Sequence, residues 1–173
     1  MTRVVLSIGS NLGDRMARLQ SVVDALGAAV RAVSPVYETD PWGGVDQGPF
    51  LNAVVVADDP DADGHDWLRR AQDIESANER VRDRHWGPRT LDVDLVSVRD
   101  SSNTEVFVSD DRLSLPHPLA HLRAFVMIPW LAVEPDAELT VAGVTRPVGA
   151  LIAAIGPAEH AGVRPTDLTL RMP

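Results

Sequence analysis

The chain has 173 residues, 45% of them hydrophobic, and no linker rich in Ser, Gly or Pro divides it, so we expect residues 1–173 to form a single domain. A net charge of −9 and a pI near 4.9 disfavour general binding to nucleic acid or to anionic membranes, because both rely on a strong positive field. The absence of cysteine excludes disulfides and thiolate metal sites and fits a cytoplasmic location, and the absence of lysine excludes a Walker-A phosphate loop and a Schiff-base lysine.

The first elements of the chain are predicted to be a strand, a turn and a helix. Residues 3–8 form an apolar run that is typical of a buried strand and too short for a signal peptide or a membrane span. Apolar residues then recur at helical spacing from Met16 to Leu26, and Gly27 is the predicted C-cap. The turn at residues 9–13 lacks the G-x-G-x-x-G spacing of a phosphate cradle, so we assign its glycines to the strand-to-helix reversal.

A further strand is predicted to begin at Phe50, after an extended segment at residues 29–38. Side chains alternate between the two faces of a strand, so Phe50 and Asn52 are predicted to be neighbours on one face. Residues 59–64 imitate the opening of a calcium-binding loop, but Arg70 occupies the position of the closing Glu. We therefore expect this acidic run to cap a helix instead.

The predicted helix is followed by a loop rich in arginine. The apolar stripe of the helix consists of Trp67, Ala71, Ile74 and Val81. Arg80, Arg82, Arg84 and Arg89 follow one another here, and because Trp86-Gly87-Pro88 interrupts regular structure, the segment between Arg82 and Arg89 is predicted to be the loop. Guanidinium groups bind phosphate oxygens bidentately and keep their charge at any working pH. The loop therefore suits a polyphosphate, although charged residues at a helix end can also simply solvate it.

Asp92 and Asp94 are the strongest chemical signal in the sequence. Leu91, Val93 and Leu95 alternate with them, so on a strand the apolar side chains enter the core while both carboxylates share the opposite face. Two residues of strand separate the Cβ atoms by roughly 6.6 Å, a spacing at which two carboxylates can hold Mg²⁺ together with phosphate oxygens. The alternative is an exposed strand face with two solvated aspartates, and the preceding arginine loop favours phosphoryl-group transfer over it.

The second half of the chain completes the predicted fold. The strand that contains Asp92 is predicted to form a hairpin with residues 105–108, and residues 124–133 and 148–155 have helical patterns. The proline-punctuated stretch after them carries no chemical signal. The order of elements predicts an α+β fold with a ferredoxin-like antiparallel sheet, helices packed on one face and the other face free for ligands.

Five motifs in order carry a resemblance to a known family. They are GSNLGDR at 9–15, YETDPWGG at 37–44, QGPFLNAVV at 47–55, RVRDRHWGPRTLDVDLV at 80–96 and LPHPLAHLRAFVMIP at 115–129. These motifs resemble those of the 6-hydroxymethyl-7,8-dihydropterin pyrophosphokinases of folate biosynthesis. The resemblance implies a ferredoxin-like fold and the transfer of pyrophosphate from ATP to the pterin hydroxymethyl group, with release of AMP.

The resemblance also implies roles for individual residues. Asp92 and Asp94 would ligate two Mg²⁺ ions, and Arg80, Arg89 and Asp94 would be the catalytic residues. The residues implied on the ATP side are Gln72, Glu75, Arg82, Trp86, Leu95, Arg112, Ser114, His117 and Arg123. Those implied on the pterin side are Thr39, Asp40, Trp42, Phe50, Asn52, Trp86 and Phe125. In this arrangement Phe50 and Phe125 would sandwich the ring, and Asn52 would read its hydrogen-bonding edge.

Two other functions remain compatible with the residues themselves. One is a magnesium-dependent kinase that releases ADP, because the sequence does not distinguish attack at the β-phosphorus from attack at the γ-phosphorus. The other is a non-catalytic ferredoxin-like binding module in which the two aspartates are surface residues. We expect the partners to be small-molecule substrates, with no nucleic acid and no membrane, and the protein to be a monomer.

Overall fold

The computed structural model describes residues 1–41, 48–80 and 91–173, and of Arg80 it describes the main chain only. The strands are β1 (Thr2–Ser10), β2 (Val30–Val33), β3 (Tyr37–Thr39), β4 (Phe50–Asp59), β5 (Asp92–Asp100), β6 (Val108–Ser109), β7 (Ser114–Leu115), β8 (Glu138–Val141), β9 (Val144–Pro147) and β10 (Val163–Pro165). The helices are α1 (Arg15–Leu26), α2 (Gly64–Arg80), α3 (Ala124–Val133), α4 (Val148–Ala153) and α5 (Pro157–Ala161). Short 3₁₀ turns lie at Gly27–Ala29 and Ala120–Leu122.

Six strands form one antiparallel sheet in the order β10, β3, β4, β1, β5, and β2 pairs with β4 alongside β3. β1 lies between β4 and β5, and its residues from Val4 to Ser10 are all buried. Burial on both faces explains why residues 3–8 read as a continuous apolar run rather than an alternating one. The predicted α+β class and the antiparallel sheet are confirmed.

α1 and α2 have capped N-termini. The Asp14 carboxylate accepts the Ala17 N–H at 3.0 Å, and Gly27, at φ +55°, ends α1 as predicted. At the start of α2, Asp63 and Asp66 accept each other's main-chain N–H at 2.9 and 2.8 Å. The acidic run is thus a helix cap, as predicted. Among the described helices, none combines the length and the apolarity that crossing a membrane requires.

The first core lies between one face of the sheet and the helices α1 and α2. α1 contributes Leu19 and its apolar neighbours, and α2 contributes the predicted stripe of Trp67, Ala71 and Ile74. Val81, the last residue of that stripe, lies outside the described residues. Each large apolar side chain buried here stabilises the fold by about 2 to 3 kcal/mol relative to leaving it in water.

α3 and α4 pack on the second face of the sheet, which the sequence analysis left entirely to ligands. Trp130 of α3 and Leu151 of α4 form a second core with Val54 and Val56 of β4. α3 has the predicted bounds, but its sequence is apolar all round, and such a helix must be buried on more than one side. The prediction of helices on one face only was therefore wrong. The part of the second face without this cover is the end of the sheet where β4 and β5 begin.

The outer edge of β5 is covered by segments that do not continue it as a simple hairpin. The chain reverses after β5 as predicted, and Arg99 and Glu105 form an isolated antiparallel bridge. Val108 then pairs with β7, so the predicted hairpin ends before it. The hairpin ends there because another segment occupies the adjacent edge of β5: the main-chain N–H of His117 donates to the Val96 carbonyl at 2.9 Å.

The stretch after α4 completes the opposite edge of the sheet. β10 pairs with β3, and beyond it the Thr166 hydroxyl donates to the Val36 carbonyl at 2.7 Å. Leu170 is buried in the first core. Arg171 and Gln20 exchange two hydrogen bonds, at 2.9 and 3.0 Å. This stretch therefore runs from β3 to α1 and is an integral part of the sheet, which the sequence analysis did not predict.

Candidate active site

Asp92 and Asp94 lie at the start of β5 on the second face of the sheet. Their partners across the ladder are Gly9 and Ser7 of β1. Both carboxylates are half-buried, whereas the apolar residues that alternate with them enter the first core. The predicted alternation is confirmed, and the pair presents hard oxygen ligands at the end of the face that α3 and α4 leave uncovered.

Asn52 lies on the same face of the sheet, on the other side of β1. Its side chain is only 5% exposed. The Thr39 hydroxyl donates to its carbonyl oxygen, and its Nδ2 donates to the Ile8 carbonyl at 3.3 Å. Hydrogen bonds at both ends of a buried amide fix its orientation. One Nδ2 hydrogen remains available for a ligand.

Gly9 separates the amide from the carboxylates. It pairs with Asn52 on one side and with Asp92 on the other. A Cβ at this position would lie 2.4 Å from the Asn52 Nδ2 and 3.6 Å from the Phe50 ring. Any side chain here would therefore displace the amide. Two strand spacings separate the Asn52 and Asp92 backbones, which is about 10 Å.

The role assigned to the glycines of residues 9–13 needs a correction at Gly9. This residue lies within β1, whereas Gly13, at φ +70°, makes the strand-to-helix reversal. The signal for Gly9 was present in the sequence, because a glycine inside an otherwise apolar strand commonly marks a close approach of another group.

Two phenylalanines border the amide end of this face. Phe50 begins β4 and is half-buried, with its ring edge over Gly9. Phe125 lies on α3, also half-buried, and the Arg123 guanidinium stands 5.7 Å from the centre of its ring. Phe125 and Thr39 line a common cleft. Of the residues that the sequence analysis assigned to the pterin, the structure thus brings Phe50, Asn52 and Phe125 close to Thr39.

His117 lies beside the carboxylate end. Burial lowers the pKa of its imidazole, the nearby Asp94 carboxylate raises it, and Arg123 lowers it further, with a net lowering. The ring Nδ1 accepts the main-chain N–H of Leu119 at 3.1 Å. In the neutral ring the proton is therefore on Nε2, which leaves a donor for a phosphate oxygen.

α2 supplies two polar side chains along the outer edge of β5. The Glu75 carboxylate accepts the Val93 N–H at 2.9 Å, and Gln72 is exposed three residues earlier on the same side of the helix. Leu95, by contrast, is 5% exposed and belongs to the first core. Its side chain therefore faces away from Asp94, and only its main chain can contact a ligand on this side.

The hairpin of β6 and β7 carries Arg112 and Ser114, and both are exposed. Asp110 fastens the turn, because its carboxylate accepts the main-chain N–H groups of Arg112 and Leu113, each at 2.8 Å. His65 at the start of α2 hydrogen-bonds the same carboxylate at 2.8 Å. The hairpin is thus tied to the helix that carries Gln72.

Several of the predicted site residues lie outside the described residues. They are Trp42, Arg82, Trp86 and Arg89, together with the side chain of Arg80. The described part of the site therefore comprises the carboxylate pair, the amide, the two phenylalanines and the polar residues around β5.

The carboxylate pair has the donor chemistry for Mg²⁺. Within the described ranges, no group of three or more His, Asp or Glu side chains could hold a metal ion by itself. Mg²⁺ is commonly bound through one or two carboxylates, with water and phosphate oxygens filling the rest of its octahedral shell. Asp92 and Asp94 fit this mode, in which the metal is shared with a phosphate ligand.

The sequence of the chain is similar to one enzyme family over most of its length. The family model described as 7,8-dihydro-6-hydroxymethylpterin-pyrophosphokinase (HPPK) matches residues 5–135. A protein of Mycobacterium tuberculosis is 61% identical over 168 residues, covering 95% of this chain and 89% of the relative. One of Mycobacterium leprae is 60% identical over 177 residues, covering 99% and 93%. Both carry the name 2-amino-4-hydroxy-6-hydroxymethyldihydropteridine pyrophosphokinase.

The fold is similar to crystal structures of longer chains. A wild-type Plasmodium falciparum HPPK-DHPS with pterin and p-hydroxybenzoate has a TM-score of 0.63 and 14% identity, covering 88% of this chain and 42% of that one. An HPPK-DHPS in complex with substrates has a TM-score of 0.64 and 11% identity, covering 88% and 44%. This chain spans less than half of those chains, and at such identity the likeness supports the fold alone.

Proposed function

The chain belongs to the 7,8-dihydro-6-hydroxymethylpterin-pyrophosphokinase family, and from this premise we propose how its residues carry out the reaction. The enzyme transfers pyrophosphate to the hydroxymethyl group of 6-hydroxymethyl-7,8-dihydropterin in folate biosynthesis. ATP is the co-substrate, so the nucleotide product is AMP. Residues 1–173 act as one domain in this proposal, which we extend to a cytoplasmic monomer that binds no nucleic acid.

The single observation that supports the residue assignments is that Asn52, Gly9 and Asp92 lie side by side on three neighbouring strands. A fixed amide at Asn52 and a carboxylate at Asp92 flank the bare backbone of Gly9, about 10 Å apart. A flat pterin that hydrogen-bonds Asn52 and extends over Gly9 directs its hydroxymethyl group toward the carboxylates. The face thereby orients one substrate with respect to the other.

The pterin is bound by stacking and by in-plane hydrogen bonds. Phe50 and Phe125 supply the stacking faces, since a conjugated ring pairs well with an aromatic one. Asn52 contributes its remaining Nδ2 hydrogen, and main-chain groups at Thr39 and Asp40 complete the polar edge. Trp42 and Trp86 are further pterin contacts of this proposal.

Asp92 and Asp94 would hold two Mg²⁺ ions, which would neutralise charge on the ATP phosphates. Arg80, Arg82 and Arg89 contact the phosphates from the opposite side as bidentate donors. Because these side chains supply charge and position, their removal affects the transition state more than the fold.

The remaining polar residues around β5 bind the nucleotide. His117 donates from Nε2 to a phosphate oxygen, and Arg123 adds a positive charge beside it. The residues that contact the rest of the nucleotide are Gln72, Glu75, Trp86, Arg112 and Ser114, with Leu95 contributing its main chain.

The chemical step is an in-line displacement at the β-phosphorus. The hydroxymethyl oxygen of the pterin forms a bond to this phosphorus, and the bond from the phosphorus to the oxygen shared with the α-phosphate breaks. AMP departs with that oxygen, and the hydroxyl proton passes to the Asp94 carboxylate. Positioning and charge stabilisation supply most of the acceleration, as in other phosphoryl transfers.

Product analysis tests the proposal directly. The protein is incubated with ATP and Mg²⁺, with and without 6-hydroxymethyl-7,8-dihydropterin, and the nucleotides are separated. We expect AMP in equal amount to the pterin diphosphate, and none without pterin. Formation of ADP would indicate a simple kinase, and absence of magnesium-dependent ATP binding by calorimetry would indicate a non-catalytic module.

A further inference from the structure

The C-terminal strand β10 borders the pterin end of the site. Residues 136–173 lie beyond the match to the family model, which ends at 135. The cleft that holds Thr39 and Phe125 is closed from the other side by this stretch. Thr39, Asp40 and Phe125 line one side of the cleft. Glu159, Gly162 and Val163 line the other side.

β3 depends on β10 for one of its two neighbours. β3 has only three residues, and it pairs with β4 on one side and with β10 on the other. Val163 is the partner of Thr39, and the main-chain N–H of Asp40 donates to the Gly162 carbonyl at 2.9 Å. Without β10, a three-residue strand at the edge of the sheet would carry Thr39, and so short an edge pairing is weakly held.

Arg164 ties β10 to β3 through side chains as well. Its guanidinium donates to the Asp40 carboxylate at 3.0 Å and lies 3.6 Å from Glu38. Glu38 also lies 3.5 Å from Arg15 of α1. Farther along, the burial of Leu170 anchors the segment in the first core. Arg164 therefore sits in a segment that is held at both ends.

We propose that Arg164 is a positioning residue for pterin binding. Through Asp40 and the β10 pairing it holds Thr39 in place, and Thr39 keeps the Asn52 amide in the orientation that the substrate requires. This inference rests on the proposed role of Asn52 in binding the pterin. It assigns to the C-terminal segment a part in the affinity for one substrate and none in the binding of ATP.

The kinetic test separates the two substrates. Arg164→Gln removes the charge that pairs with Asp40 and Glu38, and exposed pairs of this kind have small, salt-dependent effects. We expect the KM for the pterin to rise about threefold to fivefold, with kcat and the KM for ATP changed less than twofold. Arg164→Lys should recover part of the affinity. Arg146→Gln, at an exposed arginine of β9, is the matched control and should leave all three constants unchanged.

A double-mutant cycle with Asp40→Asn tests the route by which Arg164 acts. If the effect passes through Asp40, the two substitutions together should weaken pterin binding by less than the product of their separate effects. Pterin affinity is measured by fluorescence titration in the presence of a non-hydrolysable ATP analogue. The difference between wild type and Arg164→Gln should also shrink at high salt, because the pairs are then screened.

The outcomes distinguish this inference from the proposed function. If the wild type forms no AMP, the proposed function fails. If the wild type is active and Arg164→Gln leaves the pterin KM within twofold of the wild type, the inference alone is overturned. It is equally overturned if both KM values rise together with a lower Tm, since that pattern means a general loss of structure.

Discussion

The amide end and the carboxylate end of the site differ in how far the protein alone determines their geometry. Asn52 is buried and hydrogen-bonded at both ends of its amide, to Thr39 and to the Ile8 carbonyl. Asp92 and Asp94 are half-buried carboxylates on one strand face, and their like charges repel each other. The amide end is thus fixed by hydrogen bonds within the protein, whereas in the proposed function the carboxylate end reaches its final arrangement only with its ligands.

The flanking edges of the sheet show the same difference. The edge beyond the amide end is closed by a paired strand, β10, with regular main-chain register. The edge beyond the carboxylate end has isolated contacts in place of a paired strand, among them those from the Val93 N–H to Glu75 and from the His117 N–H to the Val96 carbonyl. Substitutions at the amide end should therefore change pterin affinity, and substitutions at the carboxylate end should change turnover.

The largest effect is expected at Asp94. Asp94→Asn keeps the shape of the side chain but removes the charge that binds metal and accepts the proton, so turnover should fall by about a thousandfold or more. Pterin affinity should change little, since Asp94 lies on the far side of β1 from Asn52. Steady-state AMP formation and pterin titration measure the two quantities. Asp136→Asn, at an exposed aspartate, is the control, and near-normal turnover of Asp94→Asn would end the metal assignment.

The next largest effect is expected at Gly9. The Cβ of Gly9→Ala would lie 2.4 Å from the Asn52 Nδ2, so the amide must move and pterin affinity should fall about a hundredfold. ATP affinity should stay within twofold. Gly156→Ala is the matched control, because a Cβ there meets nothing within 4 Å. Equal loss of affinity for both substrates would mean that Gly9 supports the whole face and not the amide alone.

A smaller effect is expected at Thr39. Thr39→Val removes the hydroxyl that donates to Asn52 and leaves the amide free to turn, and the loss of one such hydrogen bond corresponds to about a tenfold weaker pterin complex. Thr39→Ser keeps the donor and serves as the control. Fluorescence titration of the pterin measures both. If serine and valine behave alike, the hydroxyl does not position the amide.

The smallest effect is expected far from both ends, at Asp58. Burial raises the pKa of this carboxyl, but hydrogen bonds from Arg3 at 2.8 Å and Arg31 at 3.1 Å lower it more, so its net pKa is below the ordinary value. The carboxylate therefore stabilises the fold above about pH 4, and that contribution is lost as the pH falls through its lowered pKa.

Thermal unfolding measures this contribution. Asp58→Asn should cost up to about 1 kcal/mol at pH 7, a fall in Tm of about 2 to 4 °C, and the difference from wild type should shrink toward pH 2. Asp58 lies on β4 opposite Arg3, which is six residues along β1 from Gly9, so the substitution should leave both KM values and kcat unchanged. A Tm difference that grows on acidification would contradict the assigned direction of the pKa.

Local patterns in the sequence predicted the elements that carry the site. They did not predict the elements whose position depends on pairing with distant parts of the chain. Alternation placed Asp92 and Asp94 together, and placed Phe50 beside Asn52, because side-chain direction in a strand has a period of two. β10 could not be found this way. It has three residues, one of them proline, and its partner β3 is more than a hundred residues earlier in the chain.

The position of α3 was likewise beyond the reach of local pattern. Its residues AFVMIPWLAV are apolar on every side, so the sequence indicates burial without indicating which face of the sheet receives the helix. Gly9 was a missed signal of another kind. The sequence analysis assigns Gly9 to the turn that follows. A glycine inside an apolar strand, however, indicates the close approach of another group, which here is the Asn52 amide.

The pairing of β3 with β10 makes the two ends of the site unequal in the order of their completion. Thr39 and Asn52 are 13 residues apart, whereas Arg164 and Asp40 are separated by 124. Contacts of such long range wait for the intervening chain during synthesis on the ribosome. A nascent polypeptide that has emerged only as far as α4 would already contain both aspartates, but β3 at the amide end would still lack its outer neighbour β10.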